Sequence, residues 1–276
     1  MINVFYCTDN KFFKQQVISL ISLAKTTKEP LNVINLTAEL IDYNQKGRKT
    51  SKEQDALCTK ILQESNSKSV FRSIDVSDLM REHLMKGPNL YIKYYKFSAY
   101  LSVRLLSHMV SEIPDKILYV DADVLFPKDV KELYNIDISN VELAGRRDLY
   151  RITKYIQSGV MLLNMKKIRQ SGTFDRALNL VQTKKYICYP DMSALNTACK
   201  SKKLLPKKYN SYGFTKKAIV HHVCNMREGK IPFTKKWWHR IKIDETDLAI
   251  RKLPQYQKIY ERFERIQKEN PELFKI

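Results

Sequence analysis

Apolar and polar positions along this chain fall into blocks that change period. Asn3-Val4-Phe5-Tyr6-Cys7 is a short apolar run of strand length that stops at Thr8-Asp9-Asn10. Phe13, Val17, Leu20, Ile21 and Ala24 then recur at i, i+4, i+7 and i+8, the spacing of one helix face, before Leu31 to Leu36 returns to a strand-like run. Strand, helix and strand in that order predict a β-α-β unit, the start of a parallel sheet. A polar helix over about 51–64, a strand over 69–76 and a long helix over about 93–110 continue the alternation. Pro114 introduces Lys116-Ile117-Leu118-Tyr119-Val120, a run of strand length that ends on Asp121-Ala122-Asp123. Further strands are predicted over 141–145, 159–163 and 218–224, with helices between them. The last stretch, 234–276, reads as amphipathic helix, with Trp237 and Trp238 adjacent and Tyr256, Tyr260 and Phe263 at helical spacing. Core packing is the default for such a stripe, and surface attachment is its alternative. The fold class is therefore α/β, with a mostly parallel central sheet and a helical C-terminal extension.

Composition narrows this picture. At 276 residues and 43% apolar, the chain can bury a sizeable core, which rules out disorder as its main state. The longest apolar run, Val17 to Ala24, is broken by Ser19 and Ser22 and falls far short of a bilayer span. No secretory pattern is visible at the N-terminus, so a cytoplasmic location is expected. The five cysteines, Cys7, Cys58, Cys188, Cys199 and Cys224, are scattered and lack a C-x-x-C pair; they read as free thiols.

Charge adds a question. Forty-nine Lys and Arg against 29 Asp and Glu give +20, which points to an anionic partner: nucleic acid, a membrane surface or a phosphorylated substrate. From Cys199 to Arg240 there are twelve basic residues and one acid, Glu228. Solvated surface lysine is the bland reading of that run. A nucleic-acid-binding protein is the non-enzyme alternative, but no helix-turn-helix, zinc or RNP pattern accompanies the charge.

The candidate chemistry lies at Asp121-Ala122-Asp123. With fifteen Asp in the chain, a bare D-x-D is expected about 0.8 times by chance. Four apolar residues directly before it lower that to roughly 0.03. The two carboxylates leave the strand on one side, at the carboxyl end of a parallel sheet where α/β ligands bind. Carboxylates held so close repel each other unless a cation lies between them. A solvated turn pair is the plain alternative. A haloacid-dehalogenase-type phosphatase would use Asp121 and Asp123 as nucleophile and acid, yet that pattern sits near a chain's start and needs a later acidic pair. Here only Asp244 to Asp247 could supply one.

A second chemistry, glycosyl transfer from a nucleotide sugar, also uses D-x-D. Asn3 to Asp9, Leu101 to Leu105 followed by Lys116 to Asp123, Leu143 to Asp148, Gln157 to Asn164, Tyr189 to Asn196 and Val220 to Asn225 occur in order. This ordered set resembles the GT-A glycosyltransferases of family 8, the group of bacterial lipopolysaccharide galactosyl- and glucosyltransferases and glycogenin. The likeness runs from residue 2 to about 232 and implies a Rossmann-like nucleotide-sugar-binding fold. It implies a catalytic domain over 1–233, split into a nucleotide-binding half (1–123) and a donor-sugar and acceptor half (124–233), and a basic tail over 234–276.

The resemblance gives Asp9 to a uracil base, Phe12 to a stacking position and mainly backbone contacts to Tyr6, Cys7 and Thr8. Phe12 as an ordinary helix residue remains open. It adds Arg104, Asp121, Ala122, Asp123 and Lys230 to the nucleotide-sugar contacts, and Asp148, Gln157 and Asp191 to the catalytic groups around the donor sugar. Arg104 as a surface residue and Asp191 as a plain N-cap are the alternatives. The metal ligands it implies are Asp121, Asp123 and one histidine. Alignment favours His222, and a one-residue slip gives His221; adjacent strand residues face opposite sides, so one alone can reach the ion. Oxygen ligands with an imidazole favour Mn²⁺ over Mg²⁺. Gln157 stands where relatives carry Asn, and Met192 where many carry Gln, a group a thioether cannot replace as hydrogen-bond donor. The expected function is retaining transfer of a hexose from a UDP-sugar to a glycan or lipid-linked glycan in cell-surface polysaccharide synthesis. The basic run would then face an anionic membrane as a peripheral contact, and no nucleic acid is expected.

Overall fold

Ile2–Cys7 forms strand β1 and Leu31–Thr37 strand β2, paired in parallel from Ile2 against Leu31 to Cys7 against Leu36. The structure is a computed structural model and describes residues 1–39, 47–84, 102–148, 155–183, 190–213, 215–223, 243 and 253–275. Helix α1 (Phe13–Thr26) connects the two strands, entered through a 3-10 turn at Asn10–Phe12 whose N-cap is Asp9. Helix α2 (Lys52–Gln63) starts at a capping box, in which Ser51 and Gln54 each bond the other's backbone N–H, and leads into β3 (Val70–Asp75).

The remaining strands are β4 (Lys116–Val120), β5 (Val124–Leu125), β6 (Leu143–Arg147), β7 (Ile156–Asn164), β8 (Lys202–Leu205) and β9 (His221–His222). The main sheet has the order β3-β2-β1-β4-β7-β6-β8; β7 runs antiparallel to both its neighbours, and the other pairings are parallel. From β1 the chain winds outward through β2 and β3, then returns to place β4 on the opposite side of β1. The carboxyl ends of β1 and β4 therefore border the switch point, where doubly wound sheets open a crevice for ligands. β5 and β9 form a separate two-stranded antiparallel sheet directly after the D-A-D turn.

Side chains of the central strands alternate between two cores. Val4, Tyr6, Leu118, Val120, Val160 and Leu162 pack toward α1, while Phe5, Ile117, Tyr119, Met161 and Leu163 pack toward the opposite face. That second face is covered by Ser102–Met109, Met165–Ser171, Thr173–Thr183 and Pro190–Ala198. The mostly parallel α/β expectation holds.

Two predicted elements differ, and one strand was not predicted. Of the helix expected over 93–110, residues 102–109 are described and form a 3-10 helix. Ser102 to Ser107 are buried without a solvent face, so tertiary packing sets their winding. The strand expected over 218–224 is reduced to His221–His222, because its partner β5 is itself confined between the D-A-D turn and Pro127, which has no N–H to extend a ladder. β8 went unpredicted, since Lys202-Lys203-Leu204-Leu205 is a lysine-bearing edge strand without clear alternation.

Helix Gln257–Glu269 lies against α1. Tyr256, Ile259, Tyr260, Phe263 and Ile266 belong to the same core cluster as Val4, Val17 and Leu118. His221 fastens this helix to β9: its Nδ1 shares a hydrogen bond with the Tyr256 hydroxyl, with the two rings edge-on at 5.8 Å. Burial pushes the His221 imidazole down to about 4, so it is neutral near pH 7. Tyr256→Phe should therefore cost about 1–3 kcal/mol by stranding the His221 nitrogen, and Tyr256→Ala about 3–5 kcal/mol by emptying the core beneath it. Urea unfolding midpoints at constant m-value measure both; equal midpoints for wild type and Tyr256→Phe would show the hydroxyl contributes nothing.

Candidate functional site

β4 delivers Asp121 and Asp123 to the switch point, and two backbone hydrogen bonds fix the turn between them. Asp121 N–H donates to Gly159 O on β7 at 2.8 Å, and Val223 N–H donates to Asp123 O at 2.9 Å just after β9. Those bonds carry β9 across the turn, so His222 faces the carboxylates. His222 Nε2 lies 3.3 Å from Asp123 Oδ1 and 3.6 Å from Asp121 Oδ2, and one donor atom from each of the three residues falls within a 4.8 Å span. Adjacent donors around a small divalent ion lie about 3 Å apart, so the set fits such an ion with little adjustment. His221 turns to the opposite face, into the contact with Tyr256.

Gly159 supplies the room. A Cβ built there would meet His222 Cε1 at 2.1 Å, Asp121 Oδ2 at 2.6 Å and His222 Nδ1 at 2.8 Å. The absent side chain is filled by the imidazole itself.

Behind the carboxylates lies a buried charge network. Arg104, 1% exposed, donates to Ser158 O at 2.6 Å, pairs with Asp191 Oδ2 at 2.9 Å and lies 3.6 Å from Asp121 Oδ1. Its guanidinium stacks on the Tyr119 ring, with Cζ 4.1 Å from the centroid, and the Tyr119 hydroxyl donates to Asp121 Oδ1 at 2.6 Å. Burial opposes the charge on Arg104, but Tyr119, Asp191 and Asp121 more than restore it, leaving the group more basic than usual. For Asp191 burial outweighs the pull of Arg104, and its carboxyl is raised. Asp191 opens helix Pro190–Ala198, where it combines a helix-terminus position with the ion pair.

A second cluster brings in Asn210, Arg146 and Tyr212, none of which the sequence marked as site residues. Asn210, fully buried, donates from Nδ2 to Gln157 Oε1, and its own Oδ1 lies 3.1 Å from His222 Nδ1. Its backbone oxygen accepts from Arg146, whose guanidinium stacks on Tyr212 at 4.2 Å, and the Tyr212 ring is 5.9 Å from that of His222. Asp148, 7% exposed, follows β6 and lies in the field of Arg146. Asn210 meets Gln157 and His222 across 53 and 12 positions of chain, contacts that no local pattern marks.

On the β1 side, Thr8 donates to Asn35 Oδ1 through both N–H and hydroxyl. Asp9 Oδ1 accepts from Lys11 N–H, and a Cβ on Gly47 would lie 2.5 Å from Asp9 Oδ2. Burial raises the Asp9 carboxyl to about 6. Phe12 is half-buried in the turn beside it. The Tyr6 side chain points into the core and bonds Ser19 Oγ, which leaves its backbone for any ligand contact. Cys7 lies in the field of Arg104, Asp121 and Asp191, and burial pushes its thiol up. Ala122 is part-buried in the D-A-D turn. Lys230 lies outside the described residues, as do Lys235, Lys236, Arg240, Trp237 and Trp238. Within the basic run, Lys202 donates to Asn196 O, Lys203 to Asp137 O, and Lys208 pairs with Glu132. No described helix is long and apolar enough to cross a membrane.

A mostly parallel sheet with a D-x-D turn and a facing histidine at its switch point defines the GT-A class of nucleotide-sugar fold. The solved galactosyltransferase LgtC, in complex with donor and acceptor sugar analogues, shares that fold with a TM-score of 0.65 at 20% identity, over 94% of this chain and 95% of its own. A Haemophilus influenzae relative named as a glycosyltransferase is 23% identical over 225 residues, 76% of this chain and 63% of the relative. Escherichia coli lipopolysaccharide 1,2-glucosyltransferase is 27% identical over 113 residues, 35% of this chain and 33% of the relative. The matches thus span less than two thirds of these curated relatives. A family model described as glycosyl transferase family 8 matches residues 3–250, and the chain belongs to that family.

Gly159→Ala tests the cradle. It should leave the fold's circular dichroism unchanged and weaken Mn²⁺ binding at least tenfold, read by calorimetric titration, because the added methyl displaces His222 from the carboxylates. Unchanged Mn²⁺ affinity would show that His222 is not held there.

Proposed function

We propose that this protein is a Mn²⁺-dependent, retaining hexosyltransferase that uses a UDP-sugar donor and a glycan or lipid-linked glycan acceptor in cell-surface polysaccharide synthesis. The observation that carries this reading is the convergence of Asp121, Asp123 and His222 at the switch point of a family 8 chain. Two carboxylates and an imidazole suit Mn²⁺, which when bound would neutralise the diphosphate leaving group.

The chain's own groups supply the rest. Thr8 and the backbone of Tyr6 and Cys7 border the place for the nucleoside at the end of β1, with Phe12 offering a π face to the base. An ionised Asp9 is an acceptor-only group matched to the N3–H of uracil. Arg104 holds Asp191 against the site and shields it from Asp121, while Tyr119 turns the remaining oxygen of Asp121 toward His222. Met192 is buried and has no hydrogen-bond donor or carboxylate to offer the donor sugar. Transfer with retention then proceeds on one face: the anomeric C–O bond to the phosphate breaks, the acceptor oxygen bonds the anomeric carbon, and its proton passes to the departing phosphate oxygen. LgtC and the Escherichia coli enzyme are named for galactosyl and glucosyl transfer respectively, which makes UDP-galactose and UDP-glucose the first donors to try.

UDP release from a panel of UDP-hexoses should require Mn²⁺ and fall at least a hundredfold in Asp123→Asn. NMR of the product should show the anomeric configuration of the donor; a β linkage from an α donor overturns retention. Binding of uridine alone, without metal, should weaken between about pH 7 and about pH 5 as the Asp9 carboxyl, raised to about 6, takes up its proton. Asp9→Asn should abolish that pH dependence. A wild-type profile that stays flat across the range would remove Asp9 from the base contact.

A further inference from the structure

The hydrogen bonds around His222 have a direction, and it begins at a group that cannot be reversed. Gly159 N–H donates to Gln157 Oε1 at 2.8 Å, which identifies that end of the Gln157 amide as oxygen. The same oxygen accepts from Asn210, so the Asn210 end facing it is the NH₂ group. The other end of the Asn210 amide, its oxygen, is then the one 3.1 Å from His222 Nδ1. An amide oxygen only accepts, so Nδ1 carries a proton, and Nε2, which faces Asp121 and Asp123, is the nitrogen left to ligate a cation. One backbone N–H thus sets the tautomer of a histidine through two side-chain amides.

Position and reach support the relay. Asn210 is fully buried, and its backbone oxygen is held by Arg146. Ser211 N–H donates to Val220 O and His222 N–H to Ser211 O, both at 2.8 Å, so the Asn210 segment and β9 are fixed to each other. Gln157 stands where the family resemblance leads one to expect Asn. Its side chain folds back to its own strand at Gly159 and also reaches Asn210.

We infer that Asn210 is a positioning residue that, together with Gln157, holds His222 in the Nδ1–H tautomer and so presents Nε2 to a divalent cation. This rests on the reading of Asp121, Asp123 and His222 as the cation site. It also gives Gln157 a role through the metal histidine, whether or not its amide NH₂ touches a sugar.

The test uses the full chain and Mn²⁺ alone as probe. Free Mn²⁺ is followed by electron paramagnetic resonance, and the His222 tautomer by long-range ¹H–¹⁵N NMR of the metal-free, histidine-labelled protein, assigned by difference with His222→Gln. Wild type should show the Nδ1–H tautomer. Asn210→Leu should mix the tautomers and weaken Mn²⁺ binding by about 10–100-fold. Asn210→Asp, whose carboxylate still accepts from Nδ1 but cannot donate to Gln157, should keep Mn²⁺ affinity within a few-fold of wild type. An Nε2–H tautomer in wild type overturns the inference even if Asn210→Leu does not fold, and so does unchanged Mn²⁺ affinity in a folded Asn210→Leu. Wild type that binds Mn²⁺ no better than Asp123→Asn would instead overturn the cation site itself.

Discussion

The guanidinium of Arg104 is the group on which the site depends. It is almost wholly buried, and it joins four elements: its own 3-10 segment, β4 through Tyr119, β7 through Ser158 O, and the helix opened by Asp191. An isolated buried charge costs several kcal/mol, and removing one partner of such a pair typically costs about 3–5 kcal/mol because the other stays buried and uncompensated. The geometry requires Arg and not Lys. A planar fork can donate to a carbonyl and a carboxylate while its face lies on an aromatic ring; an ammonium on a flexible stem cannot do all three.

Charge bookkeeping around Arg104 explains why the neighbouring carboxylates can coexist. Asp121, Asp123 and Asp191 bring three negative charges to one small region, and Arg104 supplies one positive charge. Leaving His222 aside, the three carboxylates and Arg104 sum to a formal −2. That deficit equals the charge of one divalent cation, placed on the side of the carboxylates that His222 faces and Arg104 does not. Asp148 is balanced separately by Arg146. The fit of the site to a metal therefore rests on electrostatic complementarity as well as on the distances among three ligand atoms.

How much of this could be read in the sequence followed from the range of the contacts. β1, α1, β2, β4 and β7 announced themselves because their side chains alternate between two cores, or line one face, within a few residues. The D-A-D turn was legible because a strand end with two carboxylates is a local pattern. The parity of His221 and His222 was legible as a choice, and the structure turns His222 to the carboxylates. Asn210 was not legible: its partners are 53 and 12 residues away, and nothing near it in sequence marks a buried amide. The winding of Ser102–Met109 and the pairing of β8 and β9 escaped for a related reason, since the packing around these segments decides their form. Of the lysines in the basic run, Lys202 is part-buried and donates to Asn196 O, while Lys203 and Lys208 stay at the surface with partners at Asp137 O and Glu132.

The two histidines of β9 also link the site to the core. His222 meets the carboxylates on one face, and His221 on the other meets Tyr256, whose neighbours Ile259, Tyr260 and Phe263 pack in the same cluster as β1 and β4. A strand of two residues has too few hydrogen bonds to hold its own register. Its position is instead set from outside: by β5 and Ser211 along its length, by Asn210 on the metal face and by the C-terminal helix on the other. Among the described residues after β9, Tyr256 and helix Gln257–Glu269 thus help to place the strand that carries His222. Loosening Tyr256 would let His222 move relative to Asp121 and Asp123, although Tyr256 touches none of the three.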